Sequence, residues 1–222
     1  MERVFRAIDS GADVNFATDH NSALNLATRM GNFEIMEVLI KHGANLSLGV
    51  SSTTPLHTVV QKADRNMIDF LLYCGADVRA REPSIGATPL HIAAQEDHVS
   101  VITKLLQCGS RVDDPDDCGR TALHYAAIYG KVRACRRLID HAANIYLRDN
   151  EGDNAIQVAL QSPKRRSAGF AEVISTLMQA CGSPASVGFT SMSIDAERQR
   201  ELDAEQIIEE CDDNLDTVEE NV

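Results

Sequence analysis

The chain has 222 residues, 44% of them hydrophobic and 24% charged, the composition of a folded protein rather than a disordered one. Of its 33 acidic residues 12 lie beyond Gly182, with 2 of its 21 basic ones, so the net charge of −12 divides into −10 for 183–222 and −2 for 1–182. A near-neutral body excludes a general phosphate-binding surface. No stretch approaches the ~18 apolar residues of a membrane span, and the N-terminus has no apolar run fit for a secretory signal, so a cytoplasmic or nuclear protein is expected.

In chain order, Val4 to Asn15 reads as a helix followed by a projecting finger, ending in Gly11-Ala12-Asp13-Val14. Related tetrapeptides recur at Gly43-Ala44-Asn45-Leu46, Gly75-Ala76-Asp77-Val78, Gly109-Ser110-Arg111-Val112 and Ala142-Ala143-Asn144-Ile145. A second ladder runs out of phase with this one: Ser22-Ala23-Leu24-Asn25, Thr54-Pro55-Leu56-His57, Thr88-Pro89-Leu90-His91, Thr121-Ala122-Leu123-His124 and Asn154-Ala155-Ile156-Gln157, at steps of 32, 34, 33 and 33 residues. Two ladders with one period of that size predict a solenoid, whose units bury their apolar faces only against their neighbours.

The unit from Ser84 to Pro115 gives the local detail. Thr88 is placed as N-cap, and Pro89 opens a first helix to about Glu96, because its missing N–H is not needed there. Val101, Ile102, Leu105 and Leu106 have the spacing of a buried stripe and predict a second helix over Val99 to Gln107. Gly109 ends that helix in the left-handed conformation. Arg111 to Gly119, rich in Asp, predicts a hairpin projecting between units. In the second unit, Ser52 stands in place of the glycine, and Val59 and Val60 in place of the two alanines, of the third and fourth units, which predicts slightly wider packing there.

These residues resemble the ankyrin-repeat family. Gly86-Ala87-Thr88-Pro89-Leu90-His91-Ile92-Ala93-Ala94 matches its pattern without a gap, and Gly119 to Ala127 departs only by Ala122 in the place of proline. The resemblance covers Met1 to Gly182. It implies an all-α fold, an ankyrin-repeat solenoid of stacked helix-turn-helix units with projecting β-hairpin loops, followed by an acidic C-terminal helix or disordered tail. A partial repeat (1–17) precedes repeats at about 18–50, 51–83, 84–117, 118–150 and 151–182. Residues 183–193 read as a linker and 194–222 as an acidic amphipathic tail. The chain thus opens at a second helix, which leaves two readings: an N-terminal edge covered by a partner, or a shortened product of a longer gene.

His57, His91 and His124 share one place in the first helix. The resemblance implies that they are structural linkers, bonding the threonine hydroxyl and the next repeat's backbone. Repeats stacked about 10 Å apart are too far separated for them to share a zinc with Zn–N bonds of about 2.1 Å. The six cysteines, Cys74, Cys108, Cys118, Cys135, Cys181 and Cys211, form no C-x-x-C pair, so no metal site is expected and free thiols are. Cys74 and Cys108, just before the glycine of their repeats, are expected half-buried at a helix end. None of the G-x-S-x-G, G-x-x-x-x-G-K-[ST], H-E-x-x-H or G-x-G-x-x-G signatures occurs, so neither an enzyme nor a bound cofactor is expected.

The resemblance also implies where a protein partner binds: the hairpin tips and the exposed ends of the first helices. Carried onto this chain, those positions are Gln61 and Lys62; Ala87, Gln95 and Glu96; Asp117, Arg120, Ile128 and Tyr129; and Asn150, Glu151 and Asp153. An exposed aliphatic beside an exposed aromatic suits a hot spot, which singles out Ile128 and Tyr129, with packing of Tyr129 on a finger as the alternative. Asp113, Asp114, Asp116 and Asp117 crowd one finger tip, either as a solvated turn or facing a basic partner. Ser162-Pro163-Lys164-Arg165 fits a proline-directed kinase site at Ser162 in an accessible loop. The acidic tail has a basic surface to meet in Lys164, Arg165 and Arg166, or on a partner.

The function expected is therefore a non-catalytic scaffold or adaptor holding a partner protein on the inner face. Two narrower readings stand beside it. Asp9-Ser10-Gly11 is similar to the degradation signal of the NF-kappa-B inhibitors, without their second serine. Cys181-Gly182-Ser183-Pro184 is similar to part of the SOCS-box ubiquitin-ligase adaptors, without the apolar helical box that would follow.

Overall fold

A computed structural model describes residues 2–17, 22–47, 53–162 and 168–182. The expectations that rest on Ser52, on Lys164 to Arg166, on the linker 183–193 and on the acidic segment 194–222 fall outside the described residues. The helices are α1 (Glu2–Asp9), α2 (Ala23–Arg29), α3 (Phe33–Lys41), α4 (Pro55–Lys62), α5 (Arg65–Tyr73), α6 (Pro89–Gln95), α7 (Val99–Gln107), α8 (Ala122–Ile128), α9 (Val132–Asp140), α10 (Ala155–Gln161) and α11 (Ala168–Cys181).

Helices of seven to nine residues, as α2 to α10 are, are marginal alone in water, where about 12–15 residues are needed. They persist here by stacking. Each first helix lies against its own second helix and against the next first helix, α2 on α4, α4 on α6, α6 on α8 and α8 on α10. The apolar ladder makes the seams. Leu24, Leu56, Leu90 and Leu123 are each 1% exposed, and Leu71, Leu105, Leu138 and Leu177, one per second helix, are fully buried. Burying a leucine completely is worth about 1.5–3 kcal/mol.

Small residues set the spacing between first helices. Ala93, Ala126 and Ala159 occupy one column, and Val59 takes that place in α4, all of them fully buried. At the other end α1 buries none of its residues, leaving Phe5 40% exposed.

The connections between repeats project as hydrogen-bonded turns, and no described residue belongs to a β-strand; Ala17 and Ser22 form a lone antiparallel bridge. In one finger the Glu82 N–H donates to the Ala87 carbonyl at 2.9 Å and the Gly86 N–H to the Glu82 carbonyl at 2.9 Å. In the next, Asp116 Oδ1 accepts the N–H groups of Cys118 and Arg120 at 2.9 and 2.8 Å. A side-chain carboxylate that takes these donors removes them from any strand ladder.

The second helices end as the glycine ladder predicts, with Gly109 at φ +99°. Repeat four has no glycine there, and Ala142 is forced to φ +60°, a conformation that costs a residue with a Cβ about 1–2 kcal/mol. Cys74 is half-buried as expected, whereas Cys108, in the equivalent place, is exposed. Helix α11 extends about two residues past each end of the stretch Phe170 to Gln179 that the pattern marks.

Candidate functional site

The His-bearing position of the first helices is occupied by hydrogen bonds in every repeat. His91 Nδ1 accepts the Thr88 N–H at 3.0 Å and lies 2.9 Å from the Thr88 hydroxyl, while Nε2 is 2.9 Å from the Arg120 carbonyl of the next repeat. With a carbonyl as its partner Nε2 must carry the proton, which fixes the tautomer. His57 makes the same pair of contacts with Thr54 (2.8 Å) and the Ala87 carbonyl (3.0 Å), and His124 with Thr121 (3.0 Å) and the Asp153 carbonyl (3.1 Å). Burial pushes all three pKa values down, against an opposing pull from those carbonyls. Asn25 substitutes in repeat one by donating to the Thr53 carbonyl at 3.4 Å, and in repeat five Gln157 accepts the Asn154 N–H at 2.9 Å. Among the described residues no group of three or more His, Cys, Asp or Glu is arranged to hold a metal.

The residues assigned to partner binding divide into two sets. The finger set is tied together: Asp117 receives Arg81 at 2.8 Å, and Asn150 donates to the Asp117 carbonyl at 3.0 Å. Arg120 meets Asp149 at 3.0 Å and Glu151 at 3.6 Å, and Asp153 accepts Gln161 at 2.8 Å. The crowded Asp residues behave alike. Asp113 accepts the Asn144 N–H at 3.0 Å, Asp114 pairs with Arg79 at 2.8 Å, and buried Asp116 accepts the Tyr125 hydroxyl at 2.9 Å. Asp113, Asp114 and Asp117 thus tie neighbouring fingers together, while Asp116 ties its own finger to α8.

Asp149 is the most enclosed of them, its side chain wholly out of solvent. Burial pushes its pKa up, but the Asp153 N–H, the Arg120 guanidinium and the Glu151 N–H overcome that and hold it below the ordinary carboxylate value. Ala87 is also corrected: it is fully buried, because its carbonyl is the acceptor for His57.

The second set lies at the C-terminal ends of the first helices and is freer. Gln61 and Lys62 are exposed, Lys62 reaching back to the Arg29 carbonyl. Gln95 and Glu96 are half-buried and bonded to each other at 3.0 Å. Tyr129 is 46% exposed, while its neighbour Ile128 is half-buried, so the aromatic, not the aliphatic, is the presented group. Ser162 is not in an open loop: it closes α10, is buried, and lies 3.5 Å from the Ile128 carbonyl through its hydroxyl.

Three residues of repeat one belong to this surface as well. Met30, 74% exposed, stands where Lys62, Glu96 and Tyr129 stand in later repeats, with Arg29 beside it and Leu26, 45% exposed, one turn earlier. Continuing the columns of Lys62 and Tyr129 back by one repeat finds them.

A family model for ankyrin repeats, in 3 copies, matches residues 2–82, 51–116 and 90–185. The chain is a member of the ankyrin-repeat family. Curated relatives include mouse inversin, 31% identical over 148 residues, which are 65% of this chain and 11% of that protein. Human inversin is 28% identical over the same length. A putative ankyrin repeat protein of fowlpox virus is 28% identical over 153 residues, 66% of this chain and 35% of the viral one. The chain thus spans a small part of the length of these relatives. Ankyrin repeats are non-enzymatic modules that mediate protein–protein interaction. No described helix is long and apolar enough to cross a membrane.

Proposed function

We propose that this ankyrin-repeat chain is a non-catalytic scaffold that holds a partner protein against the C-terminal ends of its first helices. One observation carries the reading. Met30 and Tyr129, at equivalent places in repeats one and four, are 74% and 46% exposed, with Lys62 and Glu96 at the same place between them. Met and Tyr are enriched at interface centres over the rest of a protein surface, and here they stand exposed on either side of a charged pair. The finger residues support this surface by fixing the register of one repeat on the next.

A photo-crosslinking amino acid installed separately at positions 30, 129 and 73 of the full chain, expressed in cells, tests the assignment. Tyr73 ends α5 on the opposite side of the repeats and is 89% exposed, so it controls for exposure alone. The expected result is one shared protein adduct from positions 30 and 129 that is absent from position 73. Adducts from position 73 alone would overturn the reading.

A further inference from the structure

The second helices carry a different kind of surface. A groove of about 830 Å³ runs across three repeats, with Arg65 at the start of α5, Lys104 on α7, and Arg133 and Arg137 on α9 among its lining residues. On the fingers, Arg79, Arg81 and Arg120 each have an aspartate within 3.0 Å. In the groove, Arg65 and Arg137 form no ion pair among the described residues, while Lys104 pairs with Asp69 at 2.7 Å and Arg133 stands 3.9 Å from Asp97. Asp97 Oδ1 accepts the Ala134 N–H at 2.8 Å, so this carboxylate serves the first turn of α9 as well as Arg133.

Two uncompensated guanidinium groups on one groove are suited to carboxylates, which they engage in a bidentate fork. We propose that this groove binds an extended acidic segment of a partner protein, with Arg65 and Arg137 as its anchors. Helices packed about 10 Å apart put α5 and α9 about 20 Å apart, the reach of about six extended residues. One feature favours a peptide over nucleic acid: no Phe, Tyr or Trp lines the groove to stack a base. The anchors Arg65 and Arg137 are distinct from Met30 and Tyr129, with Glu96 bordering both surfaces, and neither assignment depends on the other.

Fluorescence anisotropy of the full-length chain with a labelled octapeptide of alternating Glu and Ser tests the proposal. An oligonucleotide of similar length and anionic phosphatidylserine vesicles are run in parallel. The expected result is peptide binding that weakens with salt and falls about tenfold or more in Arg65→Glu/Arg137→Glu, about 1.4 kcal/mol or more. It is lost to a lesser degree in Arg65→Gln/Arg137→Gln and unchanged in Met30→Ala/Tyr129→Ala. Circular dichroism and urea midpoints of each variant establish that the fold is retained. The proposal fails if wild type does not bind the peptide, if the charge reversal leaves binding unchanged in a folded protein, or if the oligonucleotide or the vesicles bind more tightly.

Discussion

His91 donates its Nε2 proton to the carbonyl of Arg120 across a repeat boundary, at 2.9 Å. A side chain that recurs at one place in three successive repeats is thus spent on joining them. What any one partner recognises is left to the positions that vary.

The histidine ladder makes stability depend on pH. Burial, only partly opposed by the carbonyl bonds, depresses the folded pKa of His57, His91 and His124 below their ordinary 6.5. Between the folded and unfolded values the unfolded chain binds protons that the folded chain does not, so stability is complete above about pH 6.5 and declines below it. Urea midpoints are expected to fall from about pH 7.5 to about pH 5.5. His91→Gln, which installs the residue repeat five already uses, is expected to reduce that dependence without removing it. A midpoint independent of pH in wild type would contradict the assignment.

Arg120 bears on stability through its pairing with Asp149. Arg120→Ala leaves the enclosed Asp149 carboxylate with its backbone N–H donors alone. We expect a loss of about 1–3 kcal/mol in urea unfolding, the cost of a buried polar group deprived of a partner. An unfolding free energy equal to wild type would return Arg120 to the list of free surface residues.

Ala142→Gly should stabilise the chain. Ala142 is exposed and holds φ +60° where the other repeats have glycine. Relief of a left-handed strain of about 1–2 kcal/mol outweighs the added unfolded-state freedom of glycine, about 0.4–1 kcal/mol. A gain of about 0.5–1 kcal/mol in equilibrium unfolding is expected, and a loss would show that this turn is not strained.

The repeat period, the helix ends and the leucine columns were legible because each is set by one local requirement repeated five times. The histidines were legible for the same reason. The fingers were not: Asp113, Asp114 and Asp116 look like turn residues in the sequence because their partners Asn144, Arg79 and Tyr125 lie 9 to 35 positions away. Ile128 shows the same limit. Its neighbour Tyr129 caps α8 and is exposed, while Ile128, the last residue of the helix, is half-buried. Met30 was legible in principle, since it continues a column, but repeat one departs most from the ladder and its register is easily passed over.

Partners held at the ends of the first helices must be released when those ends are changed. Quantitative affinity purification of the full chain from cells, comparing wild type with Met30→Ala/Tyr129→Ala and with Tyr73→Ala, measures that release. Removing two anchors should cost about 2 kcal/mol or more of binding, so proteins enriched on wild type are predicted to fall more than tenfold on the double variant and to persist on Tyr73→Ala. Equal recovery on the double variant, with its urea midpoint unchanged, or loss on Tyr73→Ala alone, would contradict it.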